Sequence, residues 1–161
     1  MSIHDHGSAK DLIHRWWFDY DEGDLGRIAP LLADDVHTSS RTDTGTHVHE
    51  EFIRSDQHGR SESLAWTIEH RRHSPYPLRH SQTNLHVVAE RGDEIDLAGY
   101  LVVSRITNGR PDVMSTGISR WTLRMTDAGY RVVAKHTVLD SAESVEFRES
   151  ELVADRMRTW P

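Results

Sequence analysis

A histidine and an aspartate frame the chemistry open to this chain. His80 lies in the segment Arg79-His80-Ser81-Gln82-Thr83-Asn84-Leu85-His86-Val87-Val88, and Asp21 closes the aromatic run Trp16-Trp17-Phe18-Asp19-Tyr20-Asp21. An imidazole titrates near pH 6.5 when unperturbed, so it can take a proton at neutral pH and give it back. If the two segments pack together, a carboxylate on one ring nitrogen fixes the tautomer and aims the other nitrogen. Such a pair suits removal of a proton from carbon beside a carbonyl or a leaving group. Elimination, isomerisation and aldol-type cyclisation are its outcomes, and none of them needs a cofactor. Tyr20 could then hydrogen-bond developing oxyanion charge.

Each of these residues has a structural reading as well. His80 equally fits a strand-end histidine at the surface or a satisfied core histidine. Asp21 fits a solvated side chain in the last turn of a helix, although an anion there opposes the helix dipole and its burial requires a partner. Tyr20 fits a core aromatic with one hydrogen bond. Trp17 shares the helix face of Tyr20 and Asp21, and Asn84 shares the strand parity of His80; both are candidates for a pocket wall. His136, late in the last strand beside Val132, Ala134 and Val138, fits either a pocket position or a structural one.

Other chemistries lack their residues. The chain has no cysteine, which removes disulfides and thiolate metal sites. It has no Gly-x-Ser-x-Gly elbow, no Gly-x-Gly-x-x-Gly or phosphate loop, and no His-Glu-x-x-His. His47-Val48-His49 and His70-Arg71-Arg72-His73 have metal-like spacing but no third ligand at a recognisable interval, and arginines flank the second pair. The expectation is therefore neither metal nor cofactor.

The elements that would position His80 and Asp21 follow from periodicity. Ser8 can cap a first helix in which Ile13, Trp16 or Trp17 and Tyr20 form one stripe, and Gly23 ends it. Asp24 looks like the cap of a second short helix through Ala33, with Pro30 late in it. Asp34-Asp35 read as a turn into a short strand over 36–40. Residues 48–73 read as two helical pieces, or as one helix broken near Gly59. After the stiff turn Ser74-Pro75-Tyr76-Pro77 the period changes to two. Strands are predicted over 79–90, 94–107, 112–125 and 129–139, joined at Arg91-Gly92-Asp93, Asn108-Gly109 and Asp127-Ala128-Gly129. A charged, helix-like tail follows from Ala142 to Met157.

Helices first and a hairpin-linked antiparallel sheet last make an α+β fold, and a strongly curved sheet over helices leaves one internal pocket. At 161 residues with a formal charge of −7, the composition fits one domain and argues against a phosphate-backbone partner. No stretch reaches the ~20 apolar residues of a spanning helix. The first residues lack a basic n-region and an apolar h-region. The expected location is cytoplasmic, with no membrane or nucleic-acid partner.

Three segments carry a resemblance. Trp17-Phe18-Asp19-Tyr20-Asp21-Glu22-Gly23-Asp24-Leu25 with Leu31-Leu32-Ala33-Asp34-Asp35-Val36 resembles the opening of SnoaL-like proteins of the nuclear transport factor 2 (NTF2-like) superfold. His80-Ser81-Gln82-Thr83-Asn84-Leu85 is similar to the His-x-x-Thr-Asn segment of the branch with scytalone dehydratase and hexachlorocyclohexane dehydrochlorinase. Trp121-Thr122-Leu123-Arg124 with Asp127-Ala128-Gly129-Tyr130-Arg131-Val132 resembles the last hairpin of that fold. The resemblance covers roughly residues 8–140, and the whole chain, 1–161, would then be one NTF2-like cone with a helical tail over 141–161. It implies His80 as general base, Asp21 as the acid that holds it, and Tyr20 in the pocket. A second histidine of scytalone dehydratase falls near Arg105 here, so that particular dehydration is not implied. The implied function is a cofactor-independent lyase, isomerase or cyclase acting on a small, mostly apolar metabolite. The alternatives are a non-catalytic ligand-binding protein and the small subunit of a ring-hydroxylating dioxygenase-type complex. A homodimer or homotrimer is expected, because a second copy commonly covers the open sheet face in this fold.

Overall fold

Asp5 begins the first helix: its carboxylate accepts from the Gly7 amide at 2.9 Å and from the Ser8 hydroxyl at 2.6 Å. The cap is thus Asp5, and Ser8, the sequence-predicted cap, sits in the first turn. In a computed structural model that describes residues 4–48 and 50–146, helix α1 runs His6–Glu22 and stops at Gly23, whose φ of 77° is the left-handed conformation glycine adopts freely. The predicted second helix is instead two 3₁₀ turns, Leu25–Arg27 and Ala29–Leu31. Pro30 in the second turn cannot donate to a longer helical ladder.

Strand β1 then runs Leu32–Thr42, longer than the predicted 36–40. Asp34 and Asp35, read as a turn, lie within it, exposed, where its register against the last strand shifts. A short helix α2, Glu50–Ile53, and helix α3, Arg60–His73, flank a four-residue strand β2, Ser55–His58. Four residues are too few to show an alternating pattern, which is why β2 is not legible in the sequence. Gly59, at φ 84°, makes the turn between β2 and α3.

The remaining strands are β3 Leu78–Arg91, β4 Glu94–Thr107, β5 Arg110–Thr126 and β6 Gly129–Leu139, close to prediction. They form an antiparallel meander. The open sheet is nevertheless mixed, in the order β2-β1-β6-β5-β4-β3, because β1 joins β6 in parallel. Helix α1 packs against β3 and β6, and α3 against β1 and β2.

Between these layers lies a core of Ile13, Trp16, Ile95, Leu97, Trp121, Leu123 and Val132. Trp16 meets Trp121 edge to face, 5.6 Å between ring centres. Burying each large side chain of this kind contributes roughly 1.5–3 kcal/mol. Residues 142–146 form neither helix nor strand, and the rest of the predicted tail helix lies outside the described residues.

Two bulges decide which side chains face the helices. In β3 the register against β4 shifts between Thr83 and His86, where Asn84 has a φ of 51°. His80 and Gln82 therefore face inward with Leu78, while beyond the bulge Leu85 and Val87 take the inner side. In β6, Trp121 pairs with Lys135 but Leu123 pairs with Val132, which leaves Val133 as the extra residue. Val132 thus points into the core, whereas Ala134, His136 and Val138 share the outer face.

Candidate active site

The last turn of α1 and the start of β3 bring Asp21 and His80 together. One carboxylate oxygen of Asp21 is 2.6 Å from His80 Nδ1, and the other accepts the His80 backbone amide at 2.6 Å. Both side chains are buried, 5% and 8% exposed respectively. With Nδ1 donating to the carboxylate, Nε2 carries the lone pair, and it makes no hydrogen bond among the described residues. Burial lowers the His80 pKa, and the hydrogen bond and charge of Asp21 oppose that shift. The ring is therefore neutral at neutral pH.

An anion in the last turn of a helix faces the negative end of the dipole, and Arg71 of α3 offsets it. Its guanidinium is buried and donates to three carbonyls: Tyr20 at 2.8 Å, Asp21 at 2.7 Å and Pro75 at 3.1 Å. One side chain thus ties the end of α1 to α3 and to the turn that leads into β3, where the Tyr76–Pro77 peptide is cis.

Aromatic rings enclose the dyad. Trp17 lies flat on the His80 ring, and Tyr20 meets it edge-on at 5.2 Å. Gln82 holds Trp17 in place: its carbonyl accepts from the Trp17 indole at 3.1 Å and from Ser119 at 2.6 Å, and its amide donates to the Tyr100 carbonyl. The Tyr20 hydroxyl shares a 2.6 Å hydrogen bond with His70 Nδ1. Burial raises the Tyr20 pKa to about 12, so the phenol keeps its proton. Burial, with the charge of Lys135 second, pulls His70 down to about 4 and leaves it neutral. His70 Nε2 is buried and has no partner among the described residues.

His80, Tyr20, Trp17 and His70 line one cavity of about 80 Å³, walled otherwise mainly by apolar side chains such as Trp66, Phe52 and Leu101. Lys135 and Thr137 of β6 complete it.

Two expected pocket residues lie elsewhere. Asn84 is exposed at the β3 bulge, because the turn of the chain there breaks the alternation it would share with His80. His136 faces the outer side of the sheet, 2.7 Å from Ser39 Oγ, because the Val133 bulge reverses the parity of β6. Lys135 holds the inward position instead.

Lys135, Thr137, Gln82 and Arg71 are not among the sequence candidates, and His70 enters the sequence reading only as half of a metal-like pair. One signal was available for Lys135: it is one of two lysines in a chain whose other strong bases are all arginine.

The outer face carries a separate cluster. His37 and His58 are direct cross-strand partners on β1 and β2, and the ligand atoms of His37, Asp56 and His58 lie within 4.8 Å of one another. Two imidazoles and a carboxylate are donors that suit a first-row divalent cation. They lie across the sheet from the cavity. Of the spaced pairs read from the sequence, His70 lines the cavity while His73 is exposed beside Glu69, and His49 lies outside the described side chains.

Helices on one face of an open six-stranded mixed sheet, with a cavity between them, define an NTF2-like protein. The chain belongs to the SnoaL-like family, whose domain model matches residues 1–136. Among solved structures it is similar to an NTF2-like protein with a cystatin-like fold from Novosphingobium aromaticivorans, at 23% identity and a TM-score of 0.70, covering 97% of this chain and 90% of that one. It is also similar to a candidate dehydratase of the NTF2-like family from Streptomyces avermitilis, at 15% identity and a TM-score of 0.67, covering 84% and 96%. A third is the β subunit of benzoate 1,2-dioxygenase from Burkholderia mallei, at 14% identity and a TM-score of 0.65, covering 86% and 93%. These are likenesses of fold. No curated protein matches the chain by sequence.

Proposed function

We propose that the protein is a cofactor-independent enzyme that removes a proton from a carbon acid, as a lyase, isomerase or cyclase on a small, mostly apolar molecule. The observation that carries this reading is the 2.6 Å contact of His80 Nδ1 with Asp21, with Nε2 unpartnered among the described residues and His80 lining the cavity. In the reaction Nε2 takes the proton, and Asp21 stabilises the imidazolium that forms. Trp17 keeps the ring at one angle. The protonated phenol of Tyr20 donates a hydrogen bond to charge developing on the substrate oxygen, with His70 as its partner in the resting state. The imidazolium then returns its proton, either to a different carbon in isomerisation or to a departing group in elimination.

The test needs no known substrate. A panel of small aryl ketones and aldehydes with an acidic α-carbon is incubated with the protein in D2O, and exchange at that carbon is followed by proton NMR. Exchange that is lost in both His80→Ala and Asp21→Asn supports the reading. Exchange equal in wild type and His80→Ala sinks it.

A second reading, a non-catalytic subunit of a larger complex, draws on the dioxygenase β-subunit likeness and on Val88, Tyr100, Ile106 and Val113, which are exposed. We also propose that a second copy of the chain covers the outer sheet face, as a homodimer or homotrimer. Sedimentation equilibrium decides between these assemblies and a monomer.

A further inference from the structure

Lys135 enters an apolar cavity with no ionic partner among the described residues. Among the described residues its ammonium makes no hydrogen bond and no ion pair, and its neighbours are three indole rings. The Nζ atom is 4.7 Å from the centre of Trp17, 5.6 Å from Trp121 and 5.8 Å from Trp16. Cation–π contact stabilises such a charge only in part, and an ammonium taken out of water without an anion is costly.

Two residues further along the same inner face of β6 is Thr137, only 6% exposed. Its hydroxyl oxygen is buried and has no hydrogen-bond partner in the described structure. Buried hydroxyls are normally satisfied, so an open one calls for a reason. Both side chains line the cavity that holds His80. An unpaired cation and an unpaired hydroxyl, side by side on one strand face, are the two kinds of donor that an anionic oxygen needs.

We propose that Lys135 and Thr137 hold an anionic oxygen of the bound molecule, so that this cavity takes a single-ring aromatic carboxylate. The ring size follows from the small volume and the indole, phenyl and imidazole faces of the wall. The charge follows from Lys135. The inference deepens the reading of the cavity as a substrate site, but it does not depend on His80 acting as a base.

Isothermal titration of benzoate and of uncharged benzamide into the wild type, Lys135→Met, Thr137→Val and His80→Ala separates the two ideas. Benzoate should bind the wild type about tenfold or more tightly than benzamide. Lys135→Met should bring the two ligands to within about twofold, and Thr137→Val should weaken benzoate alone, by about three- to fivefold. Circular dichroism melts of each variant show that it is folded. Equal affinity of the wild type for both ligands overturns the proposal, as does a preference that survives Lys135→Met or the failure of both ligands to bind at about 10 mM. His80→Ala should keep the preference for benzoate. If it keeps both that preference and proton exchange, the base is wrong and the anion site stands.

Discussion

The imidazole of His80 lies flat against the indole of Trp17, with 4.4 Å between ring centres and 5° between planes. A ring so stacked, and bonded to Asp21 at one edge, has no freedom to turn. Its second nitrogen is delivered to the cavity at a single angle, and that pre-organisation is what a base needs before the substrate arrives.

Asp21→Asn should lower the His80 pKa by about one unit or more, because the charge that opposes burial is removed while burial remains. Proton NMR titration of the ring in both proteins measures this without any substrate. Coincident curves would show that the carboxylate does not act on the imidazole. In turnover, the same substitution should reduce kcat by about 10²- to 10⁴-fold.

Lys135→Met should stabilise the protein at pH 7 by about 1–3 kcal/mol, since a desolvated charge is replaced by an apolar chain of similar length. Burial lowers the Lys135 pKa to about 8, against 10.5 in the unfolded chain. Between these values the unfolded state holds a proton that the folded state has released, so the wild type gains stability as pH rises from about 8 to 10.5. The advantage of the variant should shrink over that interval. Urea denaturation at pH 7, 9 and 10.5 measures it, and an advantage that does not change with pH would place the ammonium in water.

Acid should act through three imidazoles whose pKa burial lowers, His70, His80 and His136, before it acts through the carboxylates. His70 and His136 are both held to about 4, chiefly by burial in each case, against 6.5 when unperturbed. From pH 6.5 down to 4 the unfolded chain takes up protons that the folded chain refuses, so stability falls across that window and the loss is complete below it. Each contributes about 1–2 kcal/mol once partial solvent screening is allowed for. His136→Gln should flatten part of the fall without touching the cavity. A melting temperature that is level from pH 7 to 4.5 would contradict this. Asp35 and Asp56, held below the usual carboxylate range by bonds from Arg124 and His37, enter only at lower pH.

Gly99→Ala should destabilise by about 1–3 kcal/mol. A methyl group there would lie 2.7 Å from the Thr83 carbonyl and 2.8 Å from the Gln82 amide, where β4 passes under the Asn84 bulge. Gln82 holds Trp17, so the same change should also shift the His80 resonance. Unchanged stability together with an unchanged His80 spectrum would show that the bulge has room to give.

Local pattern carried the α+β order and the four long strands, which rest on hairpin turns, alternation and helix spacing, whereas the pairing of His80 with Asp21 was carried by the family resemblance. What local pattern could not carry was side-chain direction past an irregularity. Alternation extrapolated through residues 84 and 133 assigned Asn84 and His136 to the cavity, and it passed over Lys135. The β2 strand was too short for any periodicity, and with it went the pairing of His37 and His58. Arg71 was hidden for a different reason. Its three partners are backbone carbonyls, which leave no mark on residue type.

The extra residue at Val133 means that β6 is read in two frames. Upstream of it the even-numbered Val132 faces inward, and downstream the odd-numbered Lys135 and Thr137 do. Were Val133 drawn into the ladder as an ordinary alternating residue, the second frame would slide by a step and exchange the lumen's ammonium for the imidazole of His136, with the core strand upstream undisturbed. The cavity's charge is thus set by a single bulge, a change of phase rather than of any side chain that lines it.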